Sequence, residues 1–286
     1  MQKLFNNIVI PVDFTKVTEN AICKAIDLAN EYHCNIHLLH VITVSPFSGI
    51  SPAKEYIPTP VLSQPVTNKD VQQQLDRLIK KYEKNLATGS TICAHIVRGS
   101  WNESVIEFVI THKMDVVLIG RCGSFFRNRR AVLNSNKIAE KTNIPVITTP
   151  ENRRLTKLYS IVIPITDFLP VKKLMYGIYM AQHHNATIKL LGIESDKDFY
   201  KNKKVQYYLK KSFQLIRDNC AVPLEIVTTA GDNVAEAVNQ YATKSAADLV
   251  IVNPGRQSRL PGFLSFLFGN FLQRFSGPPV LTINPE

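Results

Sequence analysis

Short apolar runs alternate with longer amphipathic ones along this chain, and the alternation has two different periods. IVIPV, beginning at Ile8, is a β-branched run that suits a strand buried on both faces. Over residues 17 to 32 the apolar positions change to Val17, Ala21, Ile22, Ala25, Ile26 and Ala29, the spacing of one helix face. The same reading predicts strands at 35–42, 91–97, 115–120 and 145–149, and helices at about 70–87, 102–112 and 135–142. Ser100 and Glu103 have the spacing of a capping box for the helix that starts near Trp101. Trp101, the only tryptophan, is expected to pack at that helix start.

The pattern is then written a second time. NNIVIPVDF (6–14) is matched by YSIVIPITDF (159–168), and NIHLLHVI (35–42) by TIKLLGIE (187–194). GSWNESVIEFVITHKMDVVLIG (99–120) is matched by GDNVAEAVNQYATKSAADLVIV (231–252), and IPVITTP (144–150) by PPVLTINP (278–285). The order is preserved over roughly 140 residues, far longer than the ~20–50 of a solenoid repeat, so this is a domain duplication. The expected domains are 1–150 and 158–286, joined by the charged stretch ENRRLTK at 151–157.

Strands alternating with helices build a parallel sheet covered on both faces, and right-handed crossovers leave few topologies. The expected fold is α/β: two tandem, doubly wound, five-stranded parallel-sheet domains. The closing strands, 145–149 and 279–284, are apolar edges that need cover. Ligands of such sheets sit beyond the carboxyl ends of the strands, where the strand order reverses. That places the end of the first strand, Val12 and Asp13, and the end of the fourth, Gly120, at one site.

The two copies differ in their loops. The first carries a proline- and serine-rich insert, VSPFSGISPAKEYIPTPVLSQPVTN (44–68), read as a surface excursion or lid. The second carries NPGRQSRLPGFLSFLFGN (253–270), whose FLSFLF is expected to be buried, with a membrane-touching segment as the minor alternative.

Composition narrows the function classes. A chain of 286 residues with 45 % hydrophobic and 20 % charged residues is ordinary for a soluble globular protein. No apolar run has the ~18–20 residues that span a bilayer, and MQKLFNNIVIPVDF reads as a first strand, not a signal peptide. The expected compartment is the cytoplasm, without a membrane. Cys23, Cys34, Cys93, Cys122 and Cys220 are odd in number and contain no CxxC pair, which argues against a disulfide framework and a zinc site. The seven histidines show no metal-ligand grouping with carboxylates in sequence, and His37 and His40, three apart on one strand, point to opposite faces. His40 lies near the sheet's carboxyl edge. The net charge of +11 favours anionic partners. Nucleic acid ranks last among them, because the pattern lacks the aromatic–basic interleaving of a single-strand platform. No GxxxxGK[ST] loop, GxSxG elbow or other catalytic set is present.

The stretch LIGRCGSFFRNRRAVLNSNK (118–137), set beside the Asp that follows the first strand and the closing Pro-Val strand, resembles the universal stress protein family, here with two domains in tandem. The resemblance covers nearly the whole chain. Nucleotide-binding members carry Gly-x-x-Gly, nine residues, then Gly followed by Ser or Thr. Glycines let backbone N–H groups approach a phosphate. Gly120-Arg121-Cys122-Gly123 matches the opening pair, but Leu133-Asn134, with Ser135 next, stands where the third glycine and Ser belong. The resemblance therefore implies a nucleotide site of Val12, Asp13, Gly120, Arg121, Gly123, Asn134 and Ser135, with ATP and magnesium as the ligand and the arginines at 127, 129 and 130 as its counter-charge. In the second half Thr166 falls where Asp13 stands, and Asn253-Pro254-Gly255-Arg256 replaces the glycine pair; proline lacks the N–H a phosphate needs. That half is expected not to bind nucleotide.

The resemblance further implies a non-enzymatic stress-response module that associates with protein partners, its two halves paired through their closing strands as a pseudo-dimer; assembly into homo-oligomers stays open. The alternatives are a weak ATPase or phosphotransfer regulator using the Gly120 loop and, last, a basic nucleic-acid-binding protein.

Overall fold

The computed structural model describes residues 3–43, 68–120, 133–150, 155, 157–195, 198–254 and 277–285. Arg121, Cys122 and Gly123, the arginine run, nearly all of the insert, most of the join and FLSFLF lie outside the described residues.

The first half runs β1 (Asn7–Pro11), α1 (Lys16–Tyr32), β2 (Asn35–Thr43), α2 (Asn68–Tyr82), β3 (Ile92–Gly99), α3 (Trp101–Thr111), β4 (Val116–Gly120), α4 (Ser135–Thr142) and β5 (Val146–Thr149). The second runs β6 (Ser160–Ile165), α5 (Val171–His184), β7 (Thr187–Glu194), α6 (Phe199–Asn219), β8 (Leu224–Ala230), α7 (Val234–Lys244), β9 (Leu249–Val252) and β10 (Val280–Thr282). The predicted elements form where the periodicity placed them. The end of α2 tightens into a 3₁₀ turn, Glu83–Asn85. Ser100 is the N-cap of α3, but its hydroxyl bonds the Glu103 carboxylate and makes no side-chain bond to the helix backbone.

The ten strands among the described residues form one sheet in the order β3-β2-β1-β4-β5-β10-β9-β6-β7-β8. Every pairing is parallel except β5 with β10, where Val280, Leu281 and Thr282 lie antiparallel to Thr148, Ile147 and Val146. The two closing strands thus cover each other's edges. In each half the strand order reverses beside the first strand, between β1 and β4 and between β6 and β9.

The duplication extends to side-chain detail. Asp115, at the foot of β4, accepts from the backbone amides of Asn6 and Asn7 at 2.9 and 2.8 Å. Asp248, at the foot of β9, accepts from Tyr159 and Ser160 at 2.8 and 3.0 Å. Both carboxylates hold the start of the central strand to its neighbour.

One face of the sheet has a single apolar core that runs through both halves, built on α1, α2, α5 and α6. The other face has two separate cores, one under α3 and α4 and one under α7. Where the halves meet, the Tyr32 hydroxyl lies 2.9 Å from His184 Nε2, and the Phe5 and Tyr176 rings stack at 6.4 Å. Burial pushes the His184 ring below the ordinary histidine range.

Candidate functional site

The carboxyl ends of β1, β2 and β4 converge at the first reversal point. Val12 is fully buried; its amide donates to Leu39 O at 2.8 Å, and its carbonyl is 2.7 Å from His40 Nδ1. Asp13 then leaves the sheet into solvent. Its Oδ1 accepts from the Thr15 amide (3.0 Å), the Thr15 hydroxyl (2.7 Å) and the Thr18 hydroxyl. Thr15 in turn caps α1 through the Thr18 amide. One carboxylate oxygen is therefore anchored to the helix start, and among the described residues Oδ2 accepts nothing.

Phe14 follows with φ of 60°, a left-handed conformation costly for an aromatic residue. Its ring lies 4.7 Å from that of His40, and His40 meets Trp101 edge-on at 5.9 Å. Burial lowers the His40 pKa, against the opposing pull of the Val12 carbonyl and Asp13. The ring is thus neutral near pH 7. The result is an exposed carboxylate beside a wall of three rings. Phe14, Thr15 and Thr18 were not singled out from sequence. The threonines' spacing from Asp13 was the available signal, since Ser, Thr and Asp concentrate where helices begin.

Gly120 closes the other side of the cleft. A Cβ at this position would stand 2.6 Å from Val17 O, so close packing of β4 on the first turn of α1 demands glycine. The three residues that replace the third glycine and its Ser have structural employment. Leu133 packs on the core under α3 and α4. Asn134 is the N-cap of α4, accepting from Lys137 N at 3.0 Å while its own amide donates to Asn102 Oδ1 at 2.9 Å. Ser135 is buried. Lys137, 2.6 Å from Glu103, joins with Ser100 to hold the Glu103 carboxyl down at about 2. Of the site read from sequence, Val12, Asp13 and Gly120 come together at the edge, and Asn134 and Ser135 start α4. Arg121 and Gly123 lie outside the described residues. An open groove of about 500 Å³ runs between α3 and α4, lined by Ile106, Ile110, Lys137 and Lys141; it follows the outer helix faces, not the cleft.

A second cluster lies on β2 and the edge strand β3. Strand register sets His37 beside Cys93, and His95 follows two residues along the same face. His37 Nδ1 is 3.0 Å from His95 Nε2, and Cys93 Sγ is 3.2 and 3.4 Å from those nitrogens. Linear spacing showed no such grouping because the pairing of β2 with β3 creates it. His37 and His40 do separate, as alternation requires. Burial lowers both the His37 and His95 pKa values, helped by neighbouring histidines, and raises that of Cys93. The rings are neutral and the thiol protonated at pH 7.

On α6, Phe199, Tyr200 and Tyr207 are exposed. Lys203 and Lys211 lie 4.7 and 4.8 Å over the Phe199 and Tyr207 rings, four residues on in each case. This interleaving of rings and lysines was missed in the sequence. Such pairs stabilise the helix surface and occupy those two ring faces.

With this geometry in hand, the chain can be set beside known proteins. The profile of the universal stress protein family matches residues 4–150. The chain belongs to that family. A universal stress protein of Methanocaldococcus jannaschii is 24 % identical over 155 residues, covering 54 % of this chain and 86 % of that protein. The crystal structure of a universal stress protein from Archaeoglobus fulgidus superposes with a TM-score of 0.67 at 13 % identity and covers 98 % of both chains. The cytoplasmic domain of a prokaryotic cation chloride cotransporter also superposes, with a TM-score of 0.53 at 10 % identity, covering 98 % of this chain and 96 % of that one. The universal stress protein fold thus extends over both halves, and likeness at this identity speaks for fold alone. No helix among the described residues is long and apolar enough to cross a membrane.

Proposed function

We propose that this universal stress protein is a non-enzymatic binding module of the cytoplasm, made of units 1–150 and 158–286, whose first unit alone binds ATP with magnesium and whose ligand state governs association with protein partners in the stress response. The observation that carries the reading is the Asp13 carboxylate. It stands in solvent at the reversal point, one oxygen held by Thr15 and Thr18 and the other available to a ribose hydroxyl. A carboxylate held this way is positioned before its ligand arrives, which spares the cost of ordering it on binding. The ring wall of Phe14, His40 and Trp101 suits a planar base. Arg121 and Gly123 would complete the phosphate side. The magnesium would be held by the phosphates, since Asp13 is the one carboxylate described at the cleft edge and its Oδ1 is already taken. In the second unit the place of Asp13 is taken by Thr166, which is buried.

Calorimetry on the full chain, with ATP in the presence and absence of magnesium, tests this. One site per chain is expected. Asp13→Asn keeps the oxygen that Thr15 and Thr18 need, removes the charge, and should weaken binding about tenfold, or ~1.4 kcal/mol. Phosphate release should stay at background. Two sites per chain, or an affinity indifferent to Asp13→Asn, would overturn the reading.

A further inference from the structure

We propose that His37, Cys93 and His95 form a zinc(II) site that ties the edge strand β3 to β2. Three observations converge on it. The first is separation. Tetrahedral zinc with Zn–N near 2.0–2.1 Å and Zn–S near 2.3 Å needs donor atoms roughly 3.3–3.6 Å apart. The three donor atoms stand at 3.0, 3.2 and 3.4 Å, so a few tenths of an ångström of opening admits the ion. They are the one group of three or more potential ligands among the described residues whose donor atoms all lie within 4.8 Å of one another.

The second is tautomer. His37 Nε2 lies 3.3 Å from Asn7 Oδ1, an acceptor only. That contact places the ring proton on Nε2 and leaves the Nδ1 lone pair facing Cys93 and His95. An outer partner that orients a ligand histidine in this way is a recurrent feature of zinc sites. The third is accessibility. All three residues are half-buried, on the outermost strand of the sheet and its neighbour, so an ion can enter and a fourth position stays open. Water can fill it.

The donor set selects the ion. Two imidazoles and one thiolate suit zinc and exclude the hard cations magnesium and calcium, which take oxygen. On binding, the Cys93 S–H bond is exchanged for Zn–S and one proton leaves to solvent. The second half underlines the role. Lys189 and Glu225 are register partners on β7 and β8, as His37 and Cys93 are on β2 and β3, and form an ion pair at 3.8 Å. An ion pair links the two strands in the second half, and in the first half we assign that link to a metal.

The test uses the full chain, stripped with chelator under reducing conditions and titrated with cobalt(II) as the spectroscopic stand-in, then with zinc(II). The expected result is one cobalt per chain, with tetrahedral visible bands and a thiolate-to-cobalt charge-transfer band, all displaced by one zinc. Cys93→Ser should abolish the charge-transfer band, while Cys23→Ser leaves it intact. Asn7→Ala should weaken zinc binding by about 10–100-fold, the effect of losing an outer partner. A wild-type protein that gives no tetrahedral cobalt spectrum overturns the proposal, whatever the variants do. So does a charge-transfer band that survives in Cys93→Ser. Neither readout depends on nucleotide, so the result stands apart from the fate of the ATP site.

Discussion

The two halves share one framework and differ most where ligands would bind. Both helices that follow the first strand end on a left-handed residue, His33 for α1 and Asn185 for α5. Counted from those ends, α1 has 17 residues and α5 has 14, so α5 lacks the opening turn. In the first half that turn presses Val17 O against Gly120 and ties Thr15 and Thr18 to Asp13. In the second half the N-cap is Pro170 and makes no side-chain bond to the helix. The position of Gly120, three residues beyond the strand pair Val9–Val117, corresponds to Asn253, three beyond Val162–Val250. Asn253 is buried and donates to Ile283 O at 2.7 Å. One missing helical turn thus makes room for a side chain where the first half has a cleft. The second half is repacked at this place, with the Asn253 amide bonded to the closing strand and its Oδ1 buried without a hydrogen-bond partner among the described residues.

The largest test of that comparison is Lys173. It lies twelve residues before the end of α5, as Ala21 does in α1. Lys173 is 1 % exposed, its ammonium reaches Pro164 O, and burial pushes its pKa down to about 7. A lysine whose folded pKa is lowered destabilises the fold wherever the unfolded chain holds more protons. The penalty is absent above about pH 10.5, grows as pH falls, and is complete below about pH 7. Lys173→Met, which restores an apolar residue of similar length, should therefore raise stability at neutral pH by about 1–4 kcal/mol. Denaturant unfolding at pH 7 and pH 10 checks this: the gain must shrink at the higher pH. A constant gain would mean that the cavity shape, not the charge, sets the cost.

The next effect is at Gly120. Gly120→Ala places a methyl group 2.6 Å from a backbone oxygen that no side-chain rotation can move, and should cost about 1–3 kcal/mol. Asn253→Ala, at the matching place, loses one hydrogen bond and should cost about 1 kcal/mol. Thermal unfolding of the two variants side by side tests whether the glycine is held by packing. An unchanged melting point for Gly120→Ala would free the residue from this structural duty.

That double duty explains what could be read from sequence and what could not. The strands, the helices and the duplication were legible because each rests on local periodicity; the pairing of the closing strands was implied by the family resemblance, and its antiparallel direction comes from the structure. The cleft was half legible. Asp13 and Gly120 were visible, but not that Gly120 is required by Val17, nor that Asn134 serves as a helix cap. The cluster of His37, Cys93 and His95 was hidden for a different reason. Cys93 and His95 are 56 and 58 residues from His37, and only the register of β2 with β3 brings them together. A lone Cys-Ala-His on a strand has no such meaning by itself.

The helix start gives a smaller contrast. Thr15→Ala removes the cap of α1 and one of the three bonds that hold Asp13, and should cost about 1 kcal/mol. Pro170→Ala removes a residue that caps nothing through its side chain and should change stability by less than half of that. ATP affinity should fall for Thr15→Ala and stay unchanged for Pro170→Ala. An equal loss in both would show that the two helix starts are not functionally distinct.

An effect of similar size lies where the halves touch. Tyr32 and His184 occupy matching places, each the residue immediately before the left-handed end of its helix. They meet across the interface at 2.9 Å, with His183 Nε2 3.1 Å from Glu31 beside them. Tyr32→Phe removes the hydroxyl, keeps the ring edge-on to Phe5 and stacked on His183, and should cost about 0.5–1.5 kcal/mol. The pH dependence has a definite sign. Burial lowers the His184 pKa more than Glu31 raises it, so the unfolded chain takes up a proton that the folded chain refuses. The burden is absent well above pH 6.5 and grows as pH falls below it. His184→Gln, which keeps a polar partner for Tyr32 and cannot be protonated, should leave stability near the wild type at pH 8 and lessen its loss at pH 5. If the variant instead lost stability faster on the acid side, the protonated ring would be a favourable partner of Glu31, and the contact between the halves would be an ion pair that tightens in acid.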